Sequence, residues 1–405
     1  MSSSRGLSRR EFFKLAWAVG GGSLLATTDA LAQGTSGSAA PTPGPQQVAT
    51  RAFGKTGVQV SMLSAGGMFD ITTNQLVLKQ ALQFGVTYWD TADCYNGGKS
   101  EQGIGQFFEK YPETRKKVFL VTKSDARDPD GISKLLDRSL ERLKTDYIDL
   151  YFIHGVSKIK ELTPETKAWA EKAKASGKIK FFGFSTHSNM EELMQAAAKM
   201  GWIDGIMMTY NFRIMHSDAM KTAVDRCVQA GIGLTAMKTQ GGGSVKTETE
   251  TELRMAGRFL QQGFTDKQAK LRAVWENPNI ASICSQMPNT TILTSNVAAA
   301  LNQTKLSSED WLLFDRYAKE TACGYCAGCA GICGSAPDLP IQDVMRNLMY
   351  YHSYGDCERA RAWFAQLPYD TRRNLAMADY SAVERRCPQG MAIGEMMRSA
   401  GRILV

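Results

Sequence analysis

Residues 147–154 read YIDLYFIH. The run is almost continuously apolar, with one acid inside it and a histidine at its end. A strand that buries both of its faces belongs in a parallel sheet covered by helices. Seven other runs have the same character: VQVSMLSA (58–65), VTYWDTA (86–92), KVFLVTK (117–123), KIKFFGFS (178–185), DGIMMTY (204–210), GIGLTAMK (231–238) and IASICSQ (280–286). Six of the seven spacings are roughly 25–32 residues, room for one helix each. The last gap is longer and holds KTETETELRMAGRFLQQGFTDKQAKLRAVWEN (246–277). Eight strands alternating with helices predict an α/β fold, a closed (β/α)8 TIM barrel over 51–305. A doubly wound open sheet is the alternative. No glycine fingerprint follows the first strand, which argues against a dinucleotide-binding domain of that type.

Chemistry in such barrels sits where the strands end at their C-terminal face. The second strand ends in WDTADCY, presenting Asp90 and Tyr95; the third ends at Lys123 and the fourth at His154. A phenol with an ordinary pKa near 10 is a poor acid at neutral pH. A lysine beside it lowers that value, and a carboxylate holds the lysine in place. An imidazole on the next strand can orient a carbonyl and stabilise charge on its oxygen. Taken singly, these residues have ordinary readings: a strand-end cap, a loop aromatic, a solvated terminus, a core histidine. Together, on three adjacent strand ends, they read as one site.

The remaining chain frames this barrel. Of the 405 residues, 43% are hydrophobic and 22% charged, the composition of a soluble globular protein, and the net charge is +8. No Lys/Arg stripe interleaves with aromatics, so nucleic acid is not an expected partner. The N-terminal SRREFFKLAWAVGGGSLLATTDALAQG (8–34) has a basic start, a weakly apolar stretch and a small-residue end at Ala30-Leu31-Ala32. That is a secretory signal over 1–32 and not a membrane span. The pair Arg9-Arg10 with Phe12, Phe13 and Lys14 resembles the twin-arginine signal of bacteria. It predicts a periplasmic or otherwise exported protein that folds before export. Residues 33–50 are rich in Gly, Ser, Pro and Ala and read as a linker.

Beyond about 305 the strand pattern stops, and helical stretches surround TACGYCAGCAGIC (321–333). The spacing C-x2-C-x2-C-x3-C is strong for an iron–sulfur centre, and four thiolates suit a [4Fe–4S] cluster. Zinc is the alternative, although zinc motifs usually split into two separated pairs. In two-cluster ferredoxins the fourth cysteine of one run serves the other cluster. A second run should therefore end in Cys-Pro, as Cys387-Pro388 does. Its three preceding ligand positions are Val383, Tyr380 and Met377, so it reads as a degenerate motif. The expected ligands are Cys323, Cys326, Cys329 and Cys387, with Cys333 as the alternative fourth. Residues 306–405 thus read as a small α-helical ferredoxin-like iron–sulfur domain. Cys94, Cys227, Cys284 and Cys357 read as small packed hydrophobes.

The stretches FGKTGVQVSMLSAGG, WDTADCYNGGKSEQGIG, VFLVTK, LKTDYIDLYFIHG, KFFGFSTHS and MTYNF resemble the successive motifs of the aldo/keto reductase family over about residues 51–300. The tail resembles those of a subgroup carrying iron–sulfur domains. The resemblance implies the barrel fold and hydride transfer between a nicotinamide and a carbonyl carbon. It places Asp90, Tyr95, Lys123 and His154 at the catalytic tetrad. Tyr95 protonates the carbonyl oxygen, Lys123 and Asp90 tune Tyr95, and His154 orients the substrate. The implied cofactor is NAD or NADP, contacted by Ser185, Thr186 and Asn296. Here the sequence departs from the family: Thr186 replaces an asparagine, Met207 a glutamine, and Gln286 a glycine. Ile292 stands where an arginine grips the 2′-phosphate, and no arginine lies between Gln286 and Leu301. A phosphate dianion needs a cationic partner, so nothing favours NADP over NAD. Three readings follow. One is an exported oxidoreductase of a small-molecule carbonyl or alcohol. Another is an electron-transfer enzyme whose cluster hands electrons to a redox partner protein. The third is a non-catalytic barrel braced by a structural cluster.

Overall fold

A short antiparallel hairpin, β1 (Thr50–Ala52) with β2 (Gln59–Ser61), closes the floor of a barrel. In this computed structural model the described residues are 46–302, 304–334 and 339–405, with the side chain of Ala330 left aside. The signal read over 1–32, and the linker as far as residue 45, lie outside them. Packing is already present at Val48, which is buried and donates its N–H to Phe84 O.

The eight apolar runs form eight parallel strands: β3 (Leu63–Gly66), β4 (Tyr88–Asp90), β5 (Phe119–Ser124), β6 (Ile148–Ile153), β7 (Ile179–Thr186), β8 (Gly205–Thr209), β9 (Gly233–Met237) and β10 (Ser282–Gln286). They close in the order β10-β3-β4-β5-β6-β7-β8-β9. The open-sheet alternative is thereby excluded. The first run, 58–65, divides between the floor hairpin and the barrel. Buried Ser61 makes the division: its hydroxyl donates to Leu63 O and accepts from the N–H groups of Thr87 and Tyr88. Phe53 leaves the hairpin and plugs the lower end of the barrel, its ring against Tyr88 and Phe119. A Cβ at Gly205 or Gly233 would meet that ring at 2.9 or 2.5 Å, so these strand starts need glycine.

Helices follow the strands because the intervening sequence caps them. Asp128 accepts from Gly131 N ahead of the helix Pro129–Leu143, with Pro129 at its first position. Lys144 ends that helix in the left-handed conformation. Thr163 with Thr166 and Thr265 with Gln268 form capping boxes at Pro164–Ala175 and Asp266–Trp275. The long last gap resolves into two helices, Glu250–Gln261 and Asp266–Trp275. Apolar side chains fill two layers, an outer one between strands and helices around Trp89, Tyr151 and Phe182, and an inner one around Val121, Phe152 and Met207.

The helix Ser308–Glu320, expected to open the second domain, packs on the barrel instead. Phe314 lies 4.9 Å from the Phe212 ring and 5.5 Å from that of Phe259. Arg258 pairs with Asp310 at the helix start. Beyond it the described chain is helical: Ala330–Cys333, Ile341–Ser353, Cys357–Ala365, Tyr369–Met377, Ser381–Arg386 and Ile393–Ile403. Their shared core holds Val344, Leu348, Phe364, Leu375 and Met397, and Met68 from the loop after β3 packs against it. Two buried contacts join this unit to the barrel mouth. Ser244 Oγ donates to Met345 O at 2.8 Å, and Asn211 Nδ2 donates to Tyr325 Oη at 3.0 Å. Among the described residues no helix is long and apolar enough to cross a membrane.

Candidate active site

Asp90 is the last residue of β4 and Lys123 the fifth of β5, 2% and 1% exposed. The Lys123 ammonium contacts both Asp90 oxygens, at 2.7 and 2.8 Å. It donates to Thr91 O at 2.7 Å and to the Tyr95 hydroxyl at 3.3 Å. Tyr95 arrives there on a tight turn. Asn96, Gly97 and Gly98 all have positive φ, at 49°, 63° and 92°. Asn-Gly-Gly is a sequence that tolerates three such residues in a row. His154 follows β6 directly and sets its ring edge-on to Tyr95, with centroids 5.9 Å apart. The four residues expected to act together are thus brought together.

The electrostatics refine the expectation for Tyr95. Burial pushes the phenol up and the Lys123 ammonium pulls it down; burial prevails, and the pKa is raised. For Lys123 burial acts downward, but Asp90, then Tyr95 and Cys284, outweigh it, so the ammonium is held charged. Tyr95 is therefore a protonated phenol with a fixed cation beside it. That arrangement suits a proton donor, whose conjugate base the lysine stabilises as it forms.

Residues the sequence reading left unassigned hold this arrangement from behind. Glu101 is fully buried; it accepts from Thr122 Oγ1 at 2.7 Å and from Arg142 Nη1 at 3.3 Å. The same Arg142 nitrogen donates to Asp93 O at 3.0 Å, and Arg138 pairs with the Asp93 carboxylate. The turn carrying Tyr95 is anchored to the helix Pro129–Leu143 through these contacts. Asp125 sits 3.0 Å from His154 Nδ1. Burial works to raise its pKa, but the His154 contact leads the effects that leave it lowered. Nothing local in the sequence announces these pairings, because Asp125 lies 29 residues from His154, and Arg138 and Arg142 lie 45 and 49 residues from Asp93.

The positions implied for a nicotinamide are more mixed. Ser185 is buried at the end of β7, where its Oγ accepts from Gly155 N at 3.1 Å, leaving its proton to donate. Thr186 is committed locally: its hydroxyl donates to Ser188 O at 2.8 Å and accepts from Ser188 N. Met207 presents an apolar side chain to the inner core. Asn296 donates to Ser285 Oγ at 3.0 Å and keeps its carbonyl as an acceptor. Ile292 is partly exposed. Ser185 keeps a donor free for a carboxamide, whereas the Thr186 hydroxyl expected beside it is already engaged by Ser188.

The cysteines assemble unevenly. Burial raises the Cys326 thiol to about 11, with Cys329 and Cys387 adding to the shift. Burial likewise pushes Cys333 up to about 12, with Cys326, Cys329 and Cys387 adding. These four thiols are near enough to act on one another, and both candidates for the fourth ligand are among them. Cys323 lies exposed on the short turn Ala322–Gly324. Cys326 also lines a solvent-open cleft of about 480 Å³ with His187, Thr209, Lys238 and Arg346. None of the four strand-end residues lines that cleft. Burial, aided by Lys238 and Arg346, keeps His187 neutral by lowering its pKa. Of the packed cysteines, Cys227 is buried, whereas Cys94 is exposed and lies 3.7 Å from His154 Nδ1.

Comparison with known proteins agrees with the geometry. The sequence profile of the Aldo/keto reductase family matches residues 62–307. An uncharacterized oxidoreductase of Bacillus subtilis, YqkF, is 26% identical over 273 residues, which is 60% of this chain and 87% of that protein. Methylglyoxal reductase YeaE of Escherichia coli is 36% identical over 127 residues, 30% of this chain and 43% of that one. Among solved structures, the thermostable aldo-keto reductase Tm1743 in complex with the inhibitor epalrestat superimposes with a TM-score of 0.55. It is 25% identical and covers 66% of this chain and 98% of its own. The holo form of aldo-keto reductase AKR11C1 from Bacillus halodurans gives the same TM-score at 23% identity, over 67% and 96% of the two chains.

Proposed function

The chain belongs to the aldo/keto reductase family, and from that premise we propose that its barrel interconverts a small-molecule carbonyl and its alcohol, with Tyr95 as the general acid and base. It is an oxidoreductase, as its relatives are. The observation that carries the assignment is Lys123, which bridges Asp90 and the Tyr95 hydroxyl in a buried position. In reduction, Tyr95 Oη gives its proton to the carbonyl oxygen. Lys123 stabilises the phenolate left behind, and Asp90 keeps Lys123 charged and in place. His154 orients the carbonyl from the next strand. In oxidation the proton returns along the same path. A nicotinamide cofactor, when bound, would supply or accept the hydride; Ser185 would meet its carboxamide and Asn296 another part of it, and no arginine lies between Gln286 and Leu301 for a 2′-phosphate. Tyr95→Phe tests the assignment. It keeps the ring and removes the proton, so turnover with any accepted substrate should collapse while the thermal melt stays unchanged. Undiminished turnover removes Tyr95 from the role.

The tail is proposed to carry one [4Fe–4S] cluster on Cys323, Cys326, Cys329 and Cys387, with Cys333 as the alternative. Support comes from the spacing and from the convergence of Cys326, Cys329, Cys333 and Cys387. The exposed Cys323 leaves open a set that uses both Cys333 and Cys387. A second reading gives the tail an electron-transfer task with a redox partner protein. It is favoured by Cys326, which lines a cleft at the ends of β7, β8 and β9. The twin-arginine pattern supports export to the periplasm with the cluster already inserted. Anaerobic purification, optical and EPR spectra, and mass analysis of any retained nucleotide separate the two readings. Retained or tightly bound nicotinamide speaks for the first.

A further inference from the structure

Three ligand-type side chains converge beside the proposed tetrad, on the loops after three successive strands. They are Cys94 after β4, Asp125 after β5 and His154 after β6. Their Sγ, carboxylate and imidazole atoms all lie within 4.8 Å of one another. His154 Nδ1 is 3.0 Å from Asp125 Oδ1 and 3.7 Å from Cys94 Sγ. We propose that Cys94, Asp125 and His154 form a site for a divalent cation of zinc type at the barrel mouth.

The distances carry the argument. A tetrahedral zinc ion with nitrogen and oxygen at about 2.0–2.1 Å and sulfur at about 2.3 Å sets its ligand atoms roughly 3.3–3.6 Å apart. The two spacings to His154 Nδ1 bracket that range, and the thiol and carboxylate lie within 4.8 Å of each other, so small side-chain adjustments bring the three donors to one ion. The donor set is a thiolate, an imidazole and a carboxylate, which suits a borderline cation better than a hard one. Two anionic ligands balance the charge of the ion.

A hydrolase-like Cys–His–Asp relay is excluded by the same geometry. In a relay the nucleophile and the acid address different nitrogens of the ring. Here the thiol and the carboxylate both face Nδ1, and one ring nitrogen cannot relay a proton between them. A cation can engage all three. The backbone is braced for it as well: Arg127 donates to Asp125 O at 3.0 Å and to His154 O at 2.8 Å, and Glu161 holds Arg127. Outer partners of this kind fix the orientation of metal ligands. Three protein ligands leave a fourth position for water or substrate.

Cobalt(II) reads this site without any assay of turnover, so the result is independent of the reductase reading. The purified full-length protein, cluster in place, is titrated with cobalt under anaerobic conditions. A thiolate-to-cobalt charge-transfer band with tetrahedral ligand-field intensity is expected to saturate at one ion per chain and to be displaced by zinc. Cys94→Ser should abolish the band, and Asp125→Asn should weaken zinc binding by at least roughly 10–100-fold, the loss that removal of even a supporting partner causes. The proposal is overturned by a band that persists unchanged in Cys94→Ser, which would place the ion on the tail cysteines. It is equally overturned by the absence of any thiolate band in the wild type.

Discussion

The strand-end quartet and the cysteine segment are both rich in ionisable groups at the barrel mouth, and they are built differently. Asp90 and Lys123 are strand residues, and Tyr95 and His154 stand within five residues of a strand end. The Lys123 ammonium is held at 2.7–2.8 Å by Asp90 and Thr91 O and reaches Tyr95 Oη at 3.3 Å. Cys323 sits on a short turn and Cys333 ends a four-residue helix, with Cys387 brought in from the far end of a helical unit. A rigid scaffold fixes the first group before any ligand arrives. The second group has thiols raised by burial and by one another. Such thiols are poor ligands until a metal takes their protons, so binding and local order are coupled there. One site is preorganised by the sheet; the other, if it takes the proposed cluster, would be completed by it.

That contrast is broken most sharply at Tyr95. Tyr95→Phe should cost roughly 10²–10⁴-fold in kcat, the span of general acid–base catalysis, with no change in cluster content. Loss of iron in that variant would mean the two sites are not separable. Lys123→Met should destabilise the fold by about 3–5 kcal/mol in denaturant titration, because Asp90 would be left buried and unpaired. A loss under 1 kcal/mol would show that the pair is hydrated.

The cysteine side is sharpened by two single variants read by iron analysis. Cys387→Ser should lose most of its iron, whereas Cys333→Ser should keep it. Equal losses would make both residues ligands, at the expense of the exposed Cys323. The smallest expected effect is in alkali. Tyr95 and Lys123 both have pKa values raised by folding, so the stability they contribute is complete below their unfolded values near 10 and is lost as pH rises beyond them. The slope above pH 10 should reach about 1.4 kcal/mol per pH unit for each such proton. Tyr95→Phe should remove one proton's share, measured by urea unfolding at several pH values; an identical slope would place Tyr95 in contact with water.

Much of the barrel was legible because its signals are local. Apolarity, period and helix caps act over a few residues, so the eight runs, their spacing and the residues at their ends could be read directly. The floor hairpin was not, because 58–65 is one apolar run and only Ser61, bonded to the chain at Thr87 and Tyr88, divides it. The helix Ser308–Glu320 carried no mark of its partner either; Phe212 and Phe259 claim it across distances that no periodicity encodes. Asp125 carries no local mark of a role, and only the fold sets it against His154.

The sequence by itself determined a parallel (β/α)8 barrel, the four side chains at its strand ends, and a cysteine-rich helical tail. Those follow from propensity and burial, which each short segment carries within itself. Tertiary structure alone decided how tightly Tyr95 holds its proton. It also decided that Glu101 and Arg142 brace the Tyr95 turn and that Cys94, Asp125 and His154 meet. Each of those depends on desolvation and on distances between residues far apart in the chain, quantities that exist only once the barrel has closed.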